Sequence, residues 1–396
     1  MKRSITLHCG LHKTGTSSLQ HELFSVRDLL KADGVLYPEL SLKKRTFKNH
    51  SIPFYSLFSK NPATYHVNRR LGLEEAEEIE LVHATYKAQL TEQIKNFKGK
   101  RILISGEDIS ALELSELQHL KSFFSDLAGL DTSFKILLFL RHPVSYANSM
   151  VQERLKQGVT FENAVNEQLN FSKKGIIKII DRFEACFGRK NIDLFKFEDA
   201  VNNPDGLTGA FFKAASLNSR IIKHIEKVKL NLSISKEASI LLSSINSESN
   251  QDNSLPTSAN SVYNINLQRL IELPGQNFSM STEFQETVWE NSFENLESIC
   301  NRYSLKRYQA IDTKNTYPGA LWHSKSIHYL FRWIHRQPFF IRKKVIQTLR
   351  SNISKNRPHF GIKKGSYLFV MTTTLALYVN FLQIIEKPAR RILKRY

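Results

Sequence analysis

The sequence contains only three cysteines in 396 residues, at Cys9, Cys186 and Cys300. Their spacings match no metal-ligand or redox motif, and Cys9 and Cys186 lie in apolar stretches that are typical of core thiols. This composition excludes a disulfide-stapled secreted domain and a cysteine-ligated zinc module, and it favours a reducing compartment. A secretory signal is also missing before the first apolar run, at residues 5–9, so we expect a cytoplasmic protein.

Acidic residues are almost absent from the C-terminal region, residues 317–396. This region holds sixteen lysines and arginines but one acidic residue, Glu386, and it carries fifteen of the nineteen net positive charges. Such a surface attracts an anionic partner, such as membrane lipid, acidic polysaccharide or nucleic acid. No recognised nucleic-acid-binding module accompanies the charge, which disfavours nucleic acid. We predict a basic, aromatic, helical extension whose partner is an anionic membrane surface.

A long, strongly apolar run is missing as well. Residues 365–385 carry no charge, and their length approaches the ~20 residues of a bilayer span. The stretch nevertheless includes Thr372, Thr373 and Thr374 as well as polar amides. A core helix is one interpretation of this composition. We favour in-plane association with the inner face of the cytoplasmic membrane over a true span, with cations at the anionic headgroups.

A strand, a glycine-bounded loop and a helix are predicted at the start of the chain. The apolar run at residues 5–9 ends at Gly10, and Leu19 and Leu23 begin a helical spacing. Backbone N–H groups at a helix N-terminus are unpaired and partly positive, so this architecture accepts an anion. The loop adds a lysine and several hydroxyl groups. The candidate phosphate-binding residues are Lys13, Thr14, Gly15, Thr16, Ser17 and Ser18.

The loop differs from the nucleotide-triphosphate motif Gly-x4-Gly-Lys-Ser/Thr. Gly10 and Gly15 have the spacing of its two glycines, but Thr16 stands at the lysine position. Lys13 instead lies inside the loop, from where it would reach an anion near the bond to be broken. A tight strand–helix turn with a solvated lysine is the alternative interpretation.

A second stretch combines a predicted buried strand with phosphate-binding side chains. The apolar run at residues 134–140 is followed by Arg141, and Ser149 lies eight residues further along, on a predicted helix. An arginine offers a rigid fork of donors to phosphate oxygens. We therefore expect Arg141 and Ser149 to converge on one phosphate.

Strands that alternate with helices predict an α/β fold, here a P-loop-like three-layer α/β/α arrangement with a central parallel sheet. Ligands of such sheets bind beyond the carboxyl ends of the strands, where the loop, Glu107 and Arg141 are predicted to lie. We assign residues 1–305 to this domain, with a basic, loop-rich insertion at about residues 41–70 that would form an acceptor lid. Residues 317–396 would form the helical extension.

With these motifs, the chain resembles sulfotransferases that use 3′-phosphoadenosine 5′-phosphosulfate (PAPS). The family's Lys-Ser/Thr-Gly-Thr loop for the 5′-phosphosulfate is matched by residues 13–16. Its Arg-x-Pro strand end, with a serine eight residues on for the 3′-phosphate, is matched by Arg141 and Ser149. A third segment is similar to residues 194–204, although Phe197 stands in place of the usual tyrosine.

The resemblance implies in-line transfer of a sulfuryl group from PAPS to a hydroxyl or amine of a carbohydrate or glycolipid. The stretch at residues 10–20 is most similar to bacterial members that sulfate such acceptors. Lys13 would stabilise the leaving oxygen, the loop would hold the 5′-phosphate, and Arg141 with Ser149 would hold the 3′-phosphate. No metal is required, and the sequence contains no evident metal-ligand cluster.

The acceptor requires a general base within hydrogen-bond reach. Glu107, directly after the predicted strand at residues 101–105, is the first candidate, and His50 is the second. A salt bridge or helix cap at Glu107 and an ordinary loop histidine at His50 are the alternative interpretations. Two other functions stay open: an ATP-dependent phosphotransferase, which the position of Lys13 disfavours, and a non-catalytic membrane-associated scaffold.

Overall fold

The computed structural model describes residues 3–226, 233–249, 267–311, 322–356 and 362–393. The chain divides into two compact units that interleave along the sequence. The first unit comprises Met1–Pro143, Lys174–Leu230 and Ser292–Gln309, and the second comprises Val144–Lys173, Asn231–Asn291 and Ala310–Tyr396. The sequence analysis assigns residues 1–305 to a catalytic domain and residues 317–396 to a helical extension. This assignment of domains remains a prediction.

A five-stranded parallel sheet forms the centre of the first unit. Every neighbouring pair of strands is parallel, and the strands lie in this order across the sheet: β2 (Val35–Leu36), β5 (Arg101–Ser105), β1 (Ser4–His8), β6 (Ser133–Leu140) and β7 (Ile192–Lys196). Helices cover both faces of the sheet, so the strands consist mainly of apolar residues. Leu7, Ile104 and Ile136 are fully buried. The predicted α/β fold with a central parallel sheet is therefore confirmed.

The helices of the first unit pack on this sheet through a core that includes Leu19, Leu23 and Phe211. Within this unit the helices are α1 (Thr16–Ser25), α2 (Arg27–Ala32), α3 (Ser51–Phe58), α4 (His66–Arg70), α5 (Ala76–Asn96), α6 (Leu114–Ala128), α9 (Phe197–Val201) and α10 (Gly206–Ala214). A small antiparallel hairpin joins β3 (Leu40–Leu42) to β4 (Arg45–Phe47). Residues 41–70, predicted as loop-rich, thus contain a hairpin strand and two helices, and their role as a lid remains a prediction.

Among the residues that the structure describes, three helices contain residues of both units: α7 (Pro143–Lys156), α8 (Phe161–Phe187) and α12 (Thr282–Tyr303). The second unit otherwise contains α11 (Lys236–Ser249), α13 (Ser324–Ile334), α14 (Phe339–Lys355) and α15 (Ile362–Leu393). Helix α15 packs against α14 and α13, and α14 packs against α11. Their shared core includes Leu241, Trp322, Val345 and Leu375, all fully buried. Among the helices in the described part of the chain, none is long and apolar enough to cross a membrane.

Candidate active site

The loop between β1 and α1 is tightly folded around two glycines. A Cβ atom at Gly10 would lie 2.5 Å from Cγ2 of Thr16 and 2.9 Å from Nε2 of His8. Gly15 caps α1 in the left-handed conformation, with φ of 73°, and a Cβ there would lie 2.5 Å from Cδ2 of Leu207. A side chain at Gly10 would therefore force Thr16 or His8 to shift, and one at Gly15 would displace Leu207. Gly15 also needs the backbone freedom that glycine provides.

Lys13 occupies the left-handed region as well, with φ of 66°. This conformation is unfavourable for a lysine, and strained residues of this kind cluster at functional sites. The Lys13 carbonyl accepts a hydrogen bond from Nη1 of Arg141 at 2.7 Å. Arg141 follows β6, the strand beside β1, so the arginine braces the loop from the neighbouring strand end.

The guanidinium of Arg141 is held in place by two further neighbours. The central carbon of the guanidinium, Cζ, lies 5.4 Å from the ring centroid of Phe197. Burial lowers the pKa of Arg141, and the nearby Glu198 carboxylate opposes that change. Glu198 also accepts a hydrogen bond from the backbone N–H of His142 at 2.8 Å. The strand end that carries Arg141 is thus fixed by contacts on several sides.

The predicted phosphate-binding residues lie together along the loop and the first turn of α1. The hydroxyl of Thr14 donates to the carbonyl of Leu11 at 2.6 Å, and the hydroxyl of Thr16 donates to Oε2 of Glu107. Ser17 and Ser18 are half-buried in the first turn of α1. Two of the loop hydroxyls are therefore bonded within the protein, one of them to the predicted general base.

Ser149 lies on α7 and is half-buried. It belongs to the second unit, whereas Arg141 belongs to the first. Its predicted convergence with Arg141 on one phosphate remains a prediction.

Glu107 reaches the loop because of the register between two parallel strands. Strand β5 pairs with β1 so that Ser105 lies opposite His8, and a 3-10 helix begins at Glu107, two residues later. Oε1 of Glu107 lies 3.5 Å from Nδ1 of His12, and Oε2 accepts from Thr16. Burial favours the neutral carboxyl, but the contacts with His12 and Thr16 hold the pKa of Glu107 below its ordinary value.

His12, Glu107 and Asp108 form a cluster of charged side chains at this edge of the sheet. Nε2 of His12 lies 3.5 Å from Oδ1 of Asp108, and the hydroxyl of Tyr65 donates to Oδ2 of Asp108 at 2.5 Å. Burial opposes the charge on His12, but the two carboxylates raise the pKa of His12 to about 9. Burial, with the repulsion from Glu107, raises the pKa of Asp108 despite His12 and Tyr65. At neutral pH an imidazolium therefore lies between the two acidic residues.

Asp108 and Tyr65 are site neighbours that the sequence interpretation did not select. The signal available in the sequence was the adjacent pair of acidic residues directly after a buried strand. The ligand atoms of His12, Glu107 and Asp108 lie within 4.8 Å of one another, a spacing that could hold a metal ion. In this arrangement the His12 imidazolium already supplies positive charge between the carboxylates, and the expected independence from metal remains a prediction.

His50, the second candidate base, is fully buried beneath this edge of the sheet. The backbone N–H of Ser105 donates to Nδ1 of His50 at 2.9 Å, so the ring hydrogen lies on Nε2, which donates to the carbonyl of Pro38 at 2.7 Å. Burial lowers the pKa of His50 to about 4, although the Pro38 contact opposes the change. His50 would have to break its bond with Ser105 to accept a proton, which favours a structural role.

No protein-family model and no curated protein matches the chain. A sulfotransferase from Alicyclobacillus acidocaldarius is similar in structure, with 13% identity and a TM-score of 0.40 over 77% of this chain and 98% of that one. The sulfotransferase domain from the curacin biosynthetic pathway also has 13% identity, with a TM-score of 0.32 over 55% of this chain and 75% of that one. The fold assignment rests on the sheet order and loop geometry described above.

Proposed function

We propose that the protein transfers a sulfuryl group from PAPS to a hydroxyl of a carbohydrate or glycolipid. The observation that carries this proposal is the hydrogen bond from Arg141 to the strained Lys13 carbonyl. This bond connects the loop that contains Lys13 with the strand end that carries Arg141, two residues that are 128 positions apart in sequence. A lysine inside the loop, and not at its end, suits charge that develops on a bridging oxygen during transfer.

The residues around the loop suit the two phosphate groups of the donor. Backbone N–H groups of residues 15–18 open α1 and would bind the 5′-phosphate, because the first N–H groups of a helix lack partners within it. Arg141 has five N–H donors, and its bond to Lys13 uses one of them. The guanidinium would bind the 3′-phosphate, for which Ser149 remains a predicted second ligand. This arrangement predicts selection for a 3′-phosphorylated nucleotide.

In the transfer step, the acceptor oxygen forms a bond to sulfur while the bond from sulfur to the bridging oxygen breaks. The electron pair of the broken bond stays on the leaving 3′,5′-diphosphate, where Lys13 would stabilise it. The acceptor proton passes to a carboxylate of the protein. Like phosphoryl transfer, this reaction depends mainly on positioning and on charge stabilisation.

Glu107 is the base that we propose for that proton. The lowered pKa of Glu107, set by His12 and Thr16 against the effect of burial, keeps the carboxylate ionised at neutral pH. Glu107 also touches Thr16, in the first turn of α1, so it lies beside the proposed donor site. His50 is less suitable, because both of its ring nitrogens are already bonded.

The surroundings of Asp108 support a carbohydrate acceptor. Tyr65, which donates to Asp108, also packs against Tyr55, with ring centroids 4.6 Å apart, and against the exposed His66 at 5.0 Å. Aromatic rings can pack against the apolar C–H groups of a sugar ring, and carboxylates can accept hydrogen bonds from its hydroxyl groups. These residues belong to, or adjoin, the proposed lid at residues 41–70.

Calorimetric titration with 3′-phosphoadenosine 5′-phosphate, ADP and Mg·ATP tests the donor site. We expect selective binding of the 3′-phosphorylated nucleotide, weakened at least tenfold by Arg141→Ala, since a charge-assisted bidentate contact contributes more than about 1.4 kcal/mol. Arg101→Ala is the matched control, because Arg101 also donates to backbone carbonyls but lies at the opposite end of β5. Preference for Mg·ATP would support the phosphotransferase instead, and a folded protein that binds none of the three would support the scaffold.

Activity assays with PAPS and candidate glycans or glycolipids test the chemistry. Lys13→Ala should abolish measurable transfer, while Lys95→Ala, which removes an exposed lysine in the last turn of α5, outside both the loop and the proposed lid, should not change it. Glu107→Gln should lower the transfer rate by about 10² to 10⁴ with little change in nucleotide affinity. A larger loss in Asp108→Asn than in Glu107→Gln would assign the base to Asp108.

A further inference from the structure

Helix α15 has an unusual outer face in the second unit. Five large apolar side chains of this face are between 52% and 65% exposed, and they lie within 15 residues of one another: Tyr367, Phe369, Val370, Leu377 and Phe381. The opposite face of the same helix is buried, with Leu368, Leu375 and Val379 in the core of the unit. The helix is therefore anchored on one side and presents an apolar stripe on the other, which we call the α15 face.

Threonines of this helix satisfy their hydroxyl donors within the helix itself. The hydroxyl of Thr373 donates to the carbonyl of Phe369 at 2.9 Å, and the hydroxyl of Thr374 donates to the carbonyl of Val370 at 3.0 Å. Because these bonds lie within the helix, the two side chains need no water to satisfy their donors. The threonines that make the sequence only moderately apolar thus satisfy their own hydroxyl groups, and Ser366 and Asn380 are further exposed polar residues that lie among the apolar side chains of the α15 face.

Basic residues predominate in the sequence on either side of this apolar stripe. No charged residue occurs between residues 365 and 385. Two lysines precede this stretch, and Glu386 is followed by Lys387, Arg390 and Arg391 on its other side. Helices α13 and α14, which pack against α15, and the turn between them add exposed cations, at Arg332, Arg336, Lys343, Arg350 and Lys355. An uncharged stripe flanked by cations is the pattern of helices that lie in the interface of an anionic bilayer.

We propose that the α15 face binds an anionic lipid surface, with the helix parallel to the membrane plane. Charge selects this occupant over a second copy of the chain, because two such basic units would repel one another, whereas anionic headgroups attract both. An exposed stripe of this kind marks an interaction site in a soluble unit. The proposal is independent of sulfuryl transfer, since it concerns residues of the second unit alone.

Co-sedimentation with vesicles tests the proposal on the full-length chain. The wild-type protein should bind vesicles of phosphatidylcholine mixed with phosphatidylglycerol, and it should bind pure phosphatidylcholine at least about tenfold more weakly. Leu377→Asp places a carboxylate in the stripe and should reduce binding to the mixed vesicles by about tenfold or more. Leu377 is exposed, so this change leaves the core intact, which circular dichroism would verify.

Leu81→Asp is the matched control. Leu81 is also an exposed leucine on a helix, 71% exposed on α5 of the first unit. Its substitution adds the same charge at a position outside the α15 face, and vesicle binding should stay at the wild-type level. Equal loss in both variants, or no loss in Leu377→Asp, would overturn the assignment. A lipid-free dimer that Leu377→Asp dissociates would also overturn it, in favour of a second copy as the occupant.

A fluorescent probe measures insertion directly. The three native cysteines are buried, so a single added cysteine can be labelled with little background. Bimane on Leu377→Cys should shift to shorter wavelength when mixed vesicles are added, and bimane on Leu81→Cys should not shift. The same emission from both probes would mean that binding is not made through the α15 face, and the proposal would fail.

Discussion

The hydroxyl of Thr16 in the first unit donates to a residue far away in sequence, whereas the hydroxyl of Thr374 in the second unit donates within its own helix. In the first unit, Thr16 donates to Glu107, which is 91 residues away in sequence. In the second unit, Thr374 donates to Val370, four residues earlier in the same helix. The first bond can form only when β1 and β5 are paired in register, whereas the second forms wherever the helix forms.

The two regions also differ in which side chains are buried and which are exposed. Around the loop, charged and polar side chains are partly or fully buried, and they bond to each other across strand ends. On α15, large apolar side chains are exposed, and the polar ones are bonded locally. The loop edge is therefore a site whose chemistry depends on the complete fold of its unit, whereas the α15 face depends on one helix and its anchoring. Substitutions in the two regions should differ accordingly in cost and in pH dependence.

The largest expected effect concerns His50 and acid. Because burial lowers the pKa of His50 to about 4, its contribution to stability is fully present above about pH 6.5 and is lost as the pH falls towards 4. The free energy of unfolding should fall by about 3 kcal/mol over this window from His50 alone. His50→Gln should remove that part of the fall, measured by urea denaturation at about pH 7 and about pH 4.

The variant at neutral pH serves as its own control, because it separates a constant cost of substitution from the part that depends on pH. His8 is also buried and has its pKa lowered to about 4, so some acid sensitivity should persist in His50→Gln. A pH dependence unchanged from the wild type would contradict the buried, neutral state of His50.

A smaller effect is expected at the glycine that caps α1. Gly15 and Gly34 both have positive φ, but a Cβ at Gly34 meets open space, whereas one at Gly15 meets Leu207. Gly34→Ala should cost about 1 kcal/mol from the backbone alone, and Gly15→Ala about 2 to 3 kcal/mol because of the added clash. Denaturant unfolding of both variants measures the difference.

Leu207→Ala combined with Gly15→Ala tests the cause of that difference. Removing the opposing side chain should bring the cost of the Gly15 substitution close to that of the Gly34 substitution. If the coupling between the two positions is zero, the clash does not set the requirement for glycine.

The sheet and the loop could be predicted because their signals are local. An apolar run that ends in glycine, or in arginine followed by a helical spacing, is read directly from the sequence. The partners within the site could not be predicted in this way, since His12 meets Glu107 and Asp108 only through the register of β1 against β5. The sequence supplied the residue types at that edge but no indication of which hydroxyl or imidazole would contact which carboxylate.

Composition was a weaker guide to the C-terminal helix and to residues 41–70. The threonines of α15 lower the apolar content of the sequence, but their bonds to preceding carbonyls remove that cost in the helix. Residues 41–70 are rich in turn-forming and basic residues, yet tertiary packing gives them regular structure, including the buried Phe54 and Phe58 of α3. In both cases the three-dimensional context decides what a local pattern leaves open.

His12 gives an effect of opposite sign with pH. Its pKa is raised to about 9, so its contribution is fully present below about pH 6.5 and is lost as the pH rises through 9. After allowance for solvent screening of this partly exposed side chain, the contribution is about 1 kcal/mol. The stability difference between wild type and His12→Asn should therefore shrink between about pH 7 and about pH 10, measured by denaturant unfolding.

Asp108→Asn removes one of the two carboxylates that face His12 and should reduce the same difference in part. A difference that stays the same from about pH 7 to about pH 10 would mean that His12 is already neutral in the folded protein, and the imidazolium between Glu107 and Asp108 would be ruled out.

The smallest expected effect returns to the threonines of the two units. Thr374→Val removes a hydroxyl that bonds only within its own helix and should change the free energy of unfolding by less than about 0.5 kcal/mol. Thr208→Val should cost about 1 to 3 kcal/mol, because Thr208 donates to the buried carboxylate of Glu22, 186 residues away in sequence. Vesicle binding of Thr374→Val should equal or exceed that of the wild type, since the α15 face becomes more apolar. Equal destabilisation by the two substitutions, or weaker vesicle binding by Thr374→Val, would mean that the α15 hydroxyls serve a partner other than their own helix.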